Sequence, residues 1–465
     1  MKLNRKEFLR KMGVAVPFLM GGPASLVSGK PTRFQILKRK SRVPANDRIQ
    51  IGCIGMGIMG FNDVHAALHT DGIELVSVAD CYDGRLTHAR EVFGNQVKTS
   101  RDYREVLEDS SVDAVIVATP DHWHHTVTVD ALKKKKPVYC EKPMVHHIDE
   151  GHQVIKAQKQ SGLPMQVGSQ YVSSIVFQKA RDLLREGAIG ELNYVEAYVN
   201  RHSALGAWQY SIPTDASPET IAWNTFLGDA PKVAFDPVRF FRWRNYRAYG
   251  TGIPGDLFVH LFSMLHMVTG STGPNKIYAT GGLRYFNDGR EVPDIMLGLY
   301  DYPKTENHPA FNLSLHVNFE DGSGSEEVGI KFIGSEGAMS AGFTSLTLSV
   351  NKFPKAPGYE GWNSFGTFSE AEQKEFIKEY NKQYGDIKPH MLDPENMVYK
   401  APEGYTGNSM HYDHLANWFD AIRNNGETVE GPVFGLRAAG PALASNISYF
   451  ENKIVRWDPE NMKTI

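Results

Sequence analysis

The run Ile49-Gln50-Ile51-Gly52-Cys53-Ile54-Gly55-Met56-Gly57-Ile58-Met59-Gly60 decides the fold. Its first six residues read as a short, mostly apolar strand. Three glycines follow in the pattern G-x-G-x-x-G, and Phe61 to His69 then reads as a helix. A second strand, Ile73 to Ala79, ends at Asp80, twenty positions beyond Gly60. Glycines between strand and helix, with an acid at that distance, form the dinucleotide-binding fingerprint. Gly55 permits the tight turn, Gly57 lets the backbone approach a pyrophosphate, and Gly60 lets the helix pack on the sheet. The helix amino end, with Ile58 and Met59 in its first turn, favours phosphate charge. Asp80 is expected to accept hydrogen bonds from the ribose hydroxyls, which favours NAD, while nearby Arg85 leaves NADP open.

The alternation continues outward from this unit. Val112 to Ala118 is a buried strand that stops at Thr119-Pro120-Asp121, and a helix runs from Thr126 to Lys135. Pro137 to Cys140 is another strand, stopped by Glu141-Lys142-Pro143. Strands alternating with helices imply a parallel sheet, whose ligands lie beyond the carboxyl ends of the strands. Asp121-His122-Trp123-His124-His125 and Glu141-Lys142-Pro143 both fall at those ends.

From about residue 48 onward the chain resembles the Gfo/Idh/MocA oxidoreductases. The resemblance rests on the glycine fingerprint, on Thr119-Pro120-Asp121-His122-Trp123-His124, on Glu141-Lys142-Pro143 and on Gly255-Asp256-Leu257-Phe258-Val259-His260. It implies that Lys142, Asp256 and His260 form the catalytic group. His260 is then general base, Lys142 binds and polarises the reacting oxygen, and Asp256 binds a neighbouring hydroxyl or orients the base. Asp256 precedes His260 by four residues, so on a helix both share one face. Hydride transfer from an alcohol needs such a base and such an oxygen-binding group. The resemblance also places Thr119, Pro120, His122, Glu141 and Lys142 around the nicotinamide, with Trp123 toward the substrate. The family often has an acid three positions after the histidine; here that position is Ser263, a departure that bears on substrate contact more than on hydride chemistry.

Beyond about residue 165 strand-like runs recur: 192–199, 276–285, 295–300, 311–319, 328–333 and 345–350. The expected fold is thus an α/β Rossmann domain with a doubly wound parallel sheet, followed by an α+β domain with an open, mostly antiparallel sheet. Residues 200–250 interleave aromatics with Arg239, Arg242, Arg244 and Arg247, a combination suited to carbohydrate. Arg242 and Tyr246 are the expected substrate contacts. The expected divisions are an export signal at 1–29, a basic tether at 30–48, the NAD-binding domain at 49–165, and a substrate and oligomerisation domain at 166–465 with an insertion at 351–405.

The chain has 465 residues, too many for one ordinary core. No run of 18 apolar residues occurs, so no membrane-spanning helix is expected. Residues 1–48 hold twelve Lys or Arg against two acids, leaving 38 basic against 51 acidic residues in the rest. An acidic body excludes a basic nucleic-acid footprint and points to neutral sugars more than to anionic partners. The basic end precedes an apolar stretch, Met12 to Val27, in the order of a secretory signal. It resembles a twin-arginine signal with Lys6 in place of the second arginine, which predicts export to the periplasm. A basic disordered tail, and a cytoplasmic protein, is the alternative. Cys53, Cys81 and Cys140 form no disulfide framework. The histidines at 122, 124 and 125 lack further ligands at zinc spacing, so no metal is expected.

The sequence therefore predicts an NAD(P)-dependent oxidoreductase that oxidises a secondary hydroxyl of a sugar, glycoside or inositol-like polyol, or runs the reverse. Tightly held cofactor and a homo-oligomer, dimer or tetramer, are expected. The rivals are an NAD-dependent glycoside hydrolase using transient oxidation and a non-catalytic sugar-binding protein. N-acetylgalactosaminidase relatives on this fold lack the lysine of Glu-Lys-Pro, which is present here as Lys142.

Overall fold

The computed structural model describes residues 48–465 apart from 324–326, 353 and 386–394. The export signal and the tether up to residue 47 lie outside the described residues.

Six strands form the first sheet: β1 (Ile49–Ile54), β2 (Ile73–Ala79), β3 (Lys98–Ser100), β4 (Ala114–Val117), β5 (Val138–Cys140) and β6 (Met165–Val167). All pair in parallel, in the order β3-β2-β1-β4-β5-β6. Helices on both faces explain why β4 and β5 are apolar and buried throughout. These helices are α1 (Ile58–Ala67), α2 (Asp83–Phe93), α3 (Tyr103–Glu108), α4 (Asp121–Lys133) and α5 (Ile148–Ser161). The chain reverses direction across the sheet between β1 and β4, and that switch point opens a crevice at the strand ends. Strand β6 pairs with β5, so the first sheet runs on to Val167, just past the expected boundary at residue 165.

The second sheet has ten strands in the order β14-β13-β12-β11-β7-β10-β9-β8-β15-β16. They are β7 (Leu192–Asn200), β8 (Lys276–Gly282), β9 (Ile295–Tyr302), β10 (Phe311–Asn318), β11 (Glu327–Gly334), β12 (Gly337–Ala341), β13 (Ser345–Val350), β14 (Glu395–Lys400), β15 (Val455–Asp458) and β16 (Lys463–Thr464). Only β7 and β10 pair in parallel. Their alternating burial shows one covered face and one open face. The covered face meets helices α6 (Ile175–Arg185), α9 (Val259–Thr269) and α12 (Pro432–Glu451), whereas Tyr278, Leu297 and Leu299 are exposed. Short helices α7 (Trp223–Leu227) and α8 (Pro237–Phe241) lie in the long segment after β7, and α10 (Glu370–Tyr384) lies between β13 and β14. Part of the expected insertion, β14, is therefore an edge strand paired with β13. Helix α11 (Gly407–Asn424) returns to the first domain, where Leu415, Trp418 and Phe419 join the core beneath β1 and α1. All three cysteines are free. Among the described residues no helix is long and apolar enough to cross a membrane.

Candidate active site

A cavity of about 420 Å³ occupies the crevice at the ends of β1, β2, β4 and β5. At one end lie Asp80 and Arg85, at the other Lys142 and Arg244. The glycine loop shapes its floor. Gly55 takes φ +92°, a conformation that side chains rarely adopt. A Cβ on Gly60 would run into the carbonyl oxygen of Gly55, so only glycine lets α1 sit this close. At Gly57 the nearest atom to such a Cβ is 3.9 Å away, leaving open space before the amino end of α1. Gly57, Ile58 and Met59 line the cavity, and Gly57 caps α1 without a side chain, so the first-turn N–H groups stay available to an anion. Thr119 and Pro120 line the same space, and the buried Thr119 Oγ1 has no hydrogen-bond partner among the described residues. These features fit a dinucleotide.

The Asp80 carboxylate accepts hydrogen bonds from the N–H groups of Met56 (2.8 Å) and Tyr82 (2.9 Å) and pairs with Arg85 at 3.4 Å. It thus ties the glycine loop to β2 while still facing the cavity. Arg85 in turn lies against the rings of Phe240 and Phe241, at 5.6 and 5.4 Å.

Those rings belong to the second domain, which folds over the cofactor end. Tyr82 forms a β-bridge with Ile221, Asp83 N–H donates to Thr220 O (3.0 Å) and Ala222 N–H donates to Cys81 O (2.8 Å). The Tyr82 hydroxyl donates to Asp215 at 2.6 Å. Beneath, Ile221, Trp223, Phe226, Phe240, Phe241, Tyr246 and Tyr249 form one buried cluster with Tyr82. The aromatics of 200–250 are therefore chiefly the core of a strap across the crevice.

The chemistry-bearing end is built on Glu141-Lys142-Pro143. Lys142 Nζ donates to Asp256 Oδ1 at 2.9 Å and to the Asp256 carbonyl at 2.8 Å, with both side chains buried. Arg244 Nε donates to the same Oδ1 at 3.1 Å. Burial alone would push the Asp256 carboxyl up, but Lys142 and Arg244 outweigh it and hold the group far below the usual carboxylate range. Burial likewise opposes the Arg244 charge, yet Asp256 beside it keeps the guanidinium charged. Asp256 sits in a π-turn, Pro254–Phe258, that leads into α9. Such turns recur at functional sites, and this one turns the carboxylate toward Lys142. Gly255 is required there, since a Cβ would strike Thr251.

His260, one turn further, is buried, with its ring 4.6 Å from that of Tyr171. Neither ring nitrogen has a hydrogen-bond partner among the described residues. Burial, then Lys142, hold its imidazolium far down, so the ring is neutral. Asp256 and His260 do not line the large cavity; His260 instead borders a small void with Tyr171 and Arg201. Glu141 lines the cavity, and burial followed by Asp63 pushes its carboxyl up to about 8.

Besides Asp256 and His260, four further residues expected at the substrate or cofactor lie away from the cavity. Arg242 donates from Nε to the Tyr210 carbonyl (2.9 Å), and Tyr246 is buried in the aromatic cluster with Arg239 over its ring; neither lines the cavity. His122 does not line it either, because its ring nitrogens face the carbonyls of Phe226 (2.8 Å) and Tyr249 (3.3 Å) in the strap. Ser263 is turned into the core, with Oγ on Val259 O (2.9 Å) and 3.5 Å from Glu430 Oε1. Trp123 does line the cavity and donates from Nε1 to Phe226 O (2.8 Å). His124, which also lines it, bridges the carbonyls of Thr119 and Pro143. The residue missed is Arg244. It lay among the interleaved arginines, but nothing periodic in an irregular segment set it apart from Arg242. Among the described residues no group of three or more His, Cys, Asp or Glu side chains is arranged to hold a metal ion.

Comparison with known proteins agrees with this geometry. Residues 49–169 match the oxidoreductase family model for the NAD-binding Rossmann fold, and residues 181–439 match its C-terminal alpha/beta domain. A solved levoglucosan dehydrogenase, in complex with NADH and levoglucosan, is similar in fold with a TM-score of 0.62 and 15% identity, covering 88% of this chain and 99% of that one. An alpha-N-acetylgalactosaminidase of Shewanella oneidensis is 26% identical over 247 residues, 48% of this chain and 50% of that protein. An inositol 2-dehydrogenase of Salmonella paratyphi B is 28% identical over 145 residues, 31% of this chain and 43% of that protein. The chain thus spans half or less of the length of these curated relatives. The two family models together extend over both sheets and the site between them, and the chain belongs to the Gfo/Idh/MocA family of NAD-binding oxidoreductases.

Proposed function

We propose that the protein interconverts a secondary ring hydroxyl and a ketone on a sugar, glycoside or inositol-like polyol. The observation that carries this reading is the Lys142–Asp256 pair, 2.9 Å apart, at the end of the dinucleotide crevice. A bound nicotinamide supplies the hydride acceptor or donor. Lys142 faces the cavity and donates a hydrogen bond to the reacting oxygen, stabilising the charge that develops there. Asp256 and Arg244 fix the ammonium in place. His260, expected as the general base, is neutral but borders the void beside Tyr171 and Arg201 outside this cavity, so it is not placed to take the hydroxyl proton, which leaves Lys142 as the ionisable group beside the reacting oxygen.

Several observations support the accompanying proposals. Asp80 at the cofactor end favours NAD, because a 2′-phosphate would meet its charge. The strap from residue 203 to 250 favours retention of the cofactor through turnover. The open sheet face with Tyr278, Leu297 and Leu299 supports a dimer or tetramer. Export by the twin-arginine-like segment is part of the same proposal, since a retained cofactor suits a compartment poor in free NAD. Lys142 weighs against the hydrolase reading despite the galactosaminidase relative.

A panel of sugars, glycosides and inositols, followed by absorbance of reduced nicotinamide and by product mass, tests the reading. A product two mass units lighter, with matching absorbance, is expected. Release of free sugar from a chromogenic glycoside with no net absorbance change would favour hydrolysis instead.

A further inference from the structure

At the substrate end of the cavity two cationic side chains join the hydroxyls of Tyr210, Ser211 and Thr225. Lys142 and Arg244 both line it, and they share one carboxylate, Asp256, which does not. Three acids line the cavity, Asp80, Asp121 and Glu141. Asp121 accepts from the N–H (3.0 Å) and Oγ–H (2.6 Å) of Thr251. Glu141 is pushed up to about 8 by burial and so carries a proton at pH 7. Asp80 lies at the far end, bound to the glycine loop.

Arg244 is held as a rigid fork. Its Nε is anchored on Asp256, and its guanidinium lies over the Trp243 ring at 4.3 Å. Neither terminal amino group has a hydrogen-bond partner among the described residues, and the side chain remains about one-fifth exposed, toward the cavity. A planar guanidinium with two free amino groups matches a carboxylate in a bidentate arrangement, whereas a hydroxyl engages only one of them. Arg201, buried behind Asp256, adds a further positive charge.

We infer that Arg244 is a specificity-determining residue and that the preferred substrate is a sugar carrying a carboxylate, a hexuronic acid or its glycoside, seated with the carboxylate on the Arg244 fork. This rests on the oxidoreductase reading above and narrows its substrate class. It also departs from what the acidic overall composition implied. A net charge of −3 is summed over the whole surface, while recognition is set by the few groups facing the ligand.

The test uses the purified full chain with its bound cofactor and a matched set of substrates: a methyl hexoside, the corresponding methyl hexuronide, its methyl ester and the hexoside 6-phosphate. Reduction of bound nicotinamide is the readout. A charge-assisted bidentate contact predicts a second-order rate constant for this single-turnover reduction about 10- to 100-fold higher for the hexuronide than for the neutral hexoside or the ester. Arg244→Gln should erase most of that ratio, and Arg244→Lys should restore part of it. A neutral hexoside or a 6-phosphate preferred over the hexuronide would overturn the carboxylate assignment and leave the oxidoreductase reading standing. If no sugar in this set or in the wider panel reduces the bound nicotinamide, the oxidoreductase reading fails, and this inference with it.

Discussion

Replacing Asp256 by Asn probes the centre of the site with almost no change of shape. The carboxylate accepts from Lys142 Nζ (2.9 Å) and Arg244 Nε (3.1 Å) at a position where its own side chain is 12% exposed. Removing one partner of a buried pair costs about 3–5 kcal/mol, chiefly because the remaining charge loses its compensation. Two features reduce that figure here. Lys142 keeps its bond to the Asp256 backbone carbonyl (2.8 Å), and an amide oxygen at Oδ1 can still accept from both Lys142 and Arg244. A stability loss of about 2–3 kcal/mol follows, readable by urea unfolding. The effect on turnover should be larger than stability alone explains. With two cations no longer held by one carboxylate, Lys142 loses its fixed position, and misplacement of a catalytic group by about 1 Å costs on the order of 10²-fold. Asp256 does not line the cavity, so bound nicotinamide should remain near wild-type occupancy. Single-turnover absorbance and cofactor content, measured on the same folded sample, separate these effects. A variant with wild-type turnover would refute the assigned role.

Four further outcomes are expected. Tyr82→Phe removes the 2.6 Å hydroxyl bond to Asp215 across the strap; a hydrogen bond to a charged group is worth about 1.5–3 kcal/mol, so release of cofactor, followed by a fluorescence chase, should accelerate roughly tenfold or more. Gly60→Ala would press a methyl group into the Gly55 carbonyl and should abolish cofactor retention in whatever fraction folds, as measured by nicotinamide content after gel filtration. Glu141 has an ordinary value of 4.5 and is pushed up to about 8 in the fold. Between those values only the folded state holds the proton, so stability falls as pH rises, by at most about 1.4 kcal/mol per pH unit for one group. Glu141→Gln should flatten that decline between pH 5 and 7.5 in urea unfolding, and an unchanged slope would dismiss Glu141 as its source. Leu299→Asp on the open sheet face should lower the mass seen in light scattering if that face joins copies of the chain, and should leave it unchanged otherwise.

The fold was legible wherever local chemistry sets the pattern. Gly55, Gly57, Gly60 and Asp80 carry steric and electrostatic demands that depend on a few neighbours: Gly55, Gly57 and Asp80 line the crevice, and Gly60 packs α1 against the glycine loop. The apolar runs of β1, β4 and β5 are continuous because helices cover both faces. Strand β12, Gly337–Ala341, escaped notice because glycine, alanine and serine carry little strand preference; its pairing with β11 and β13 supplies what its side chains do not. Within the site, Lys142 and Trp123 line the cavity, whereas Asp256, expected to bind a hydroxyl or orient His260, instead holds Lys142 and Arg244 from outside it, and His260 also lies off the cavity. His122 does not line it, because the strap residues that capture its ring lie more than a hundred positions away. Arg242 and Arg244 could not be told apart for a related reason. Their directions are set by contacts to Tyr210 and Asp256, not by a helical or strand period. The π-turn at Asp256 is likewise a tertiary outcome, which leaves that carboxylate on Lys142 and His260 against Tyr171.

The most direct test of the site is to add an oxidisable sugar to the purified protein, wild type and Lys142→Ala side by side, and follow reduction of the bound nicotinamide in a single turnover. The account predicts equal cofactor content in the two proteins and reduction slowed by about 10²- to 10⁴-fold in the variant. Reduction at the wild-type rate without Lys142 would contradict it.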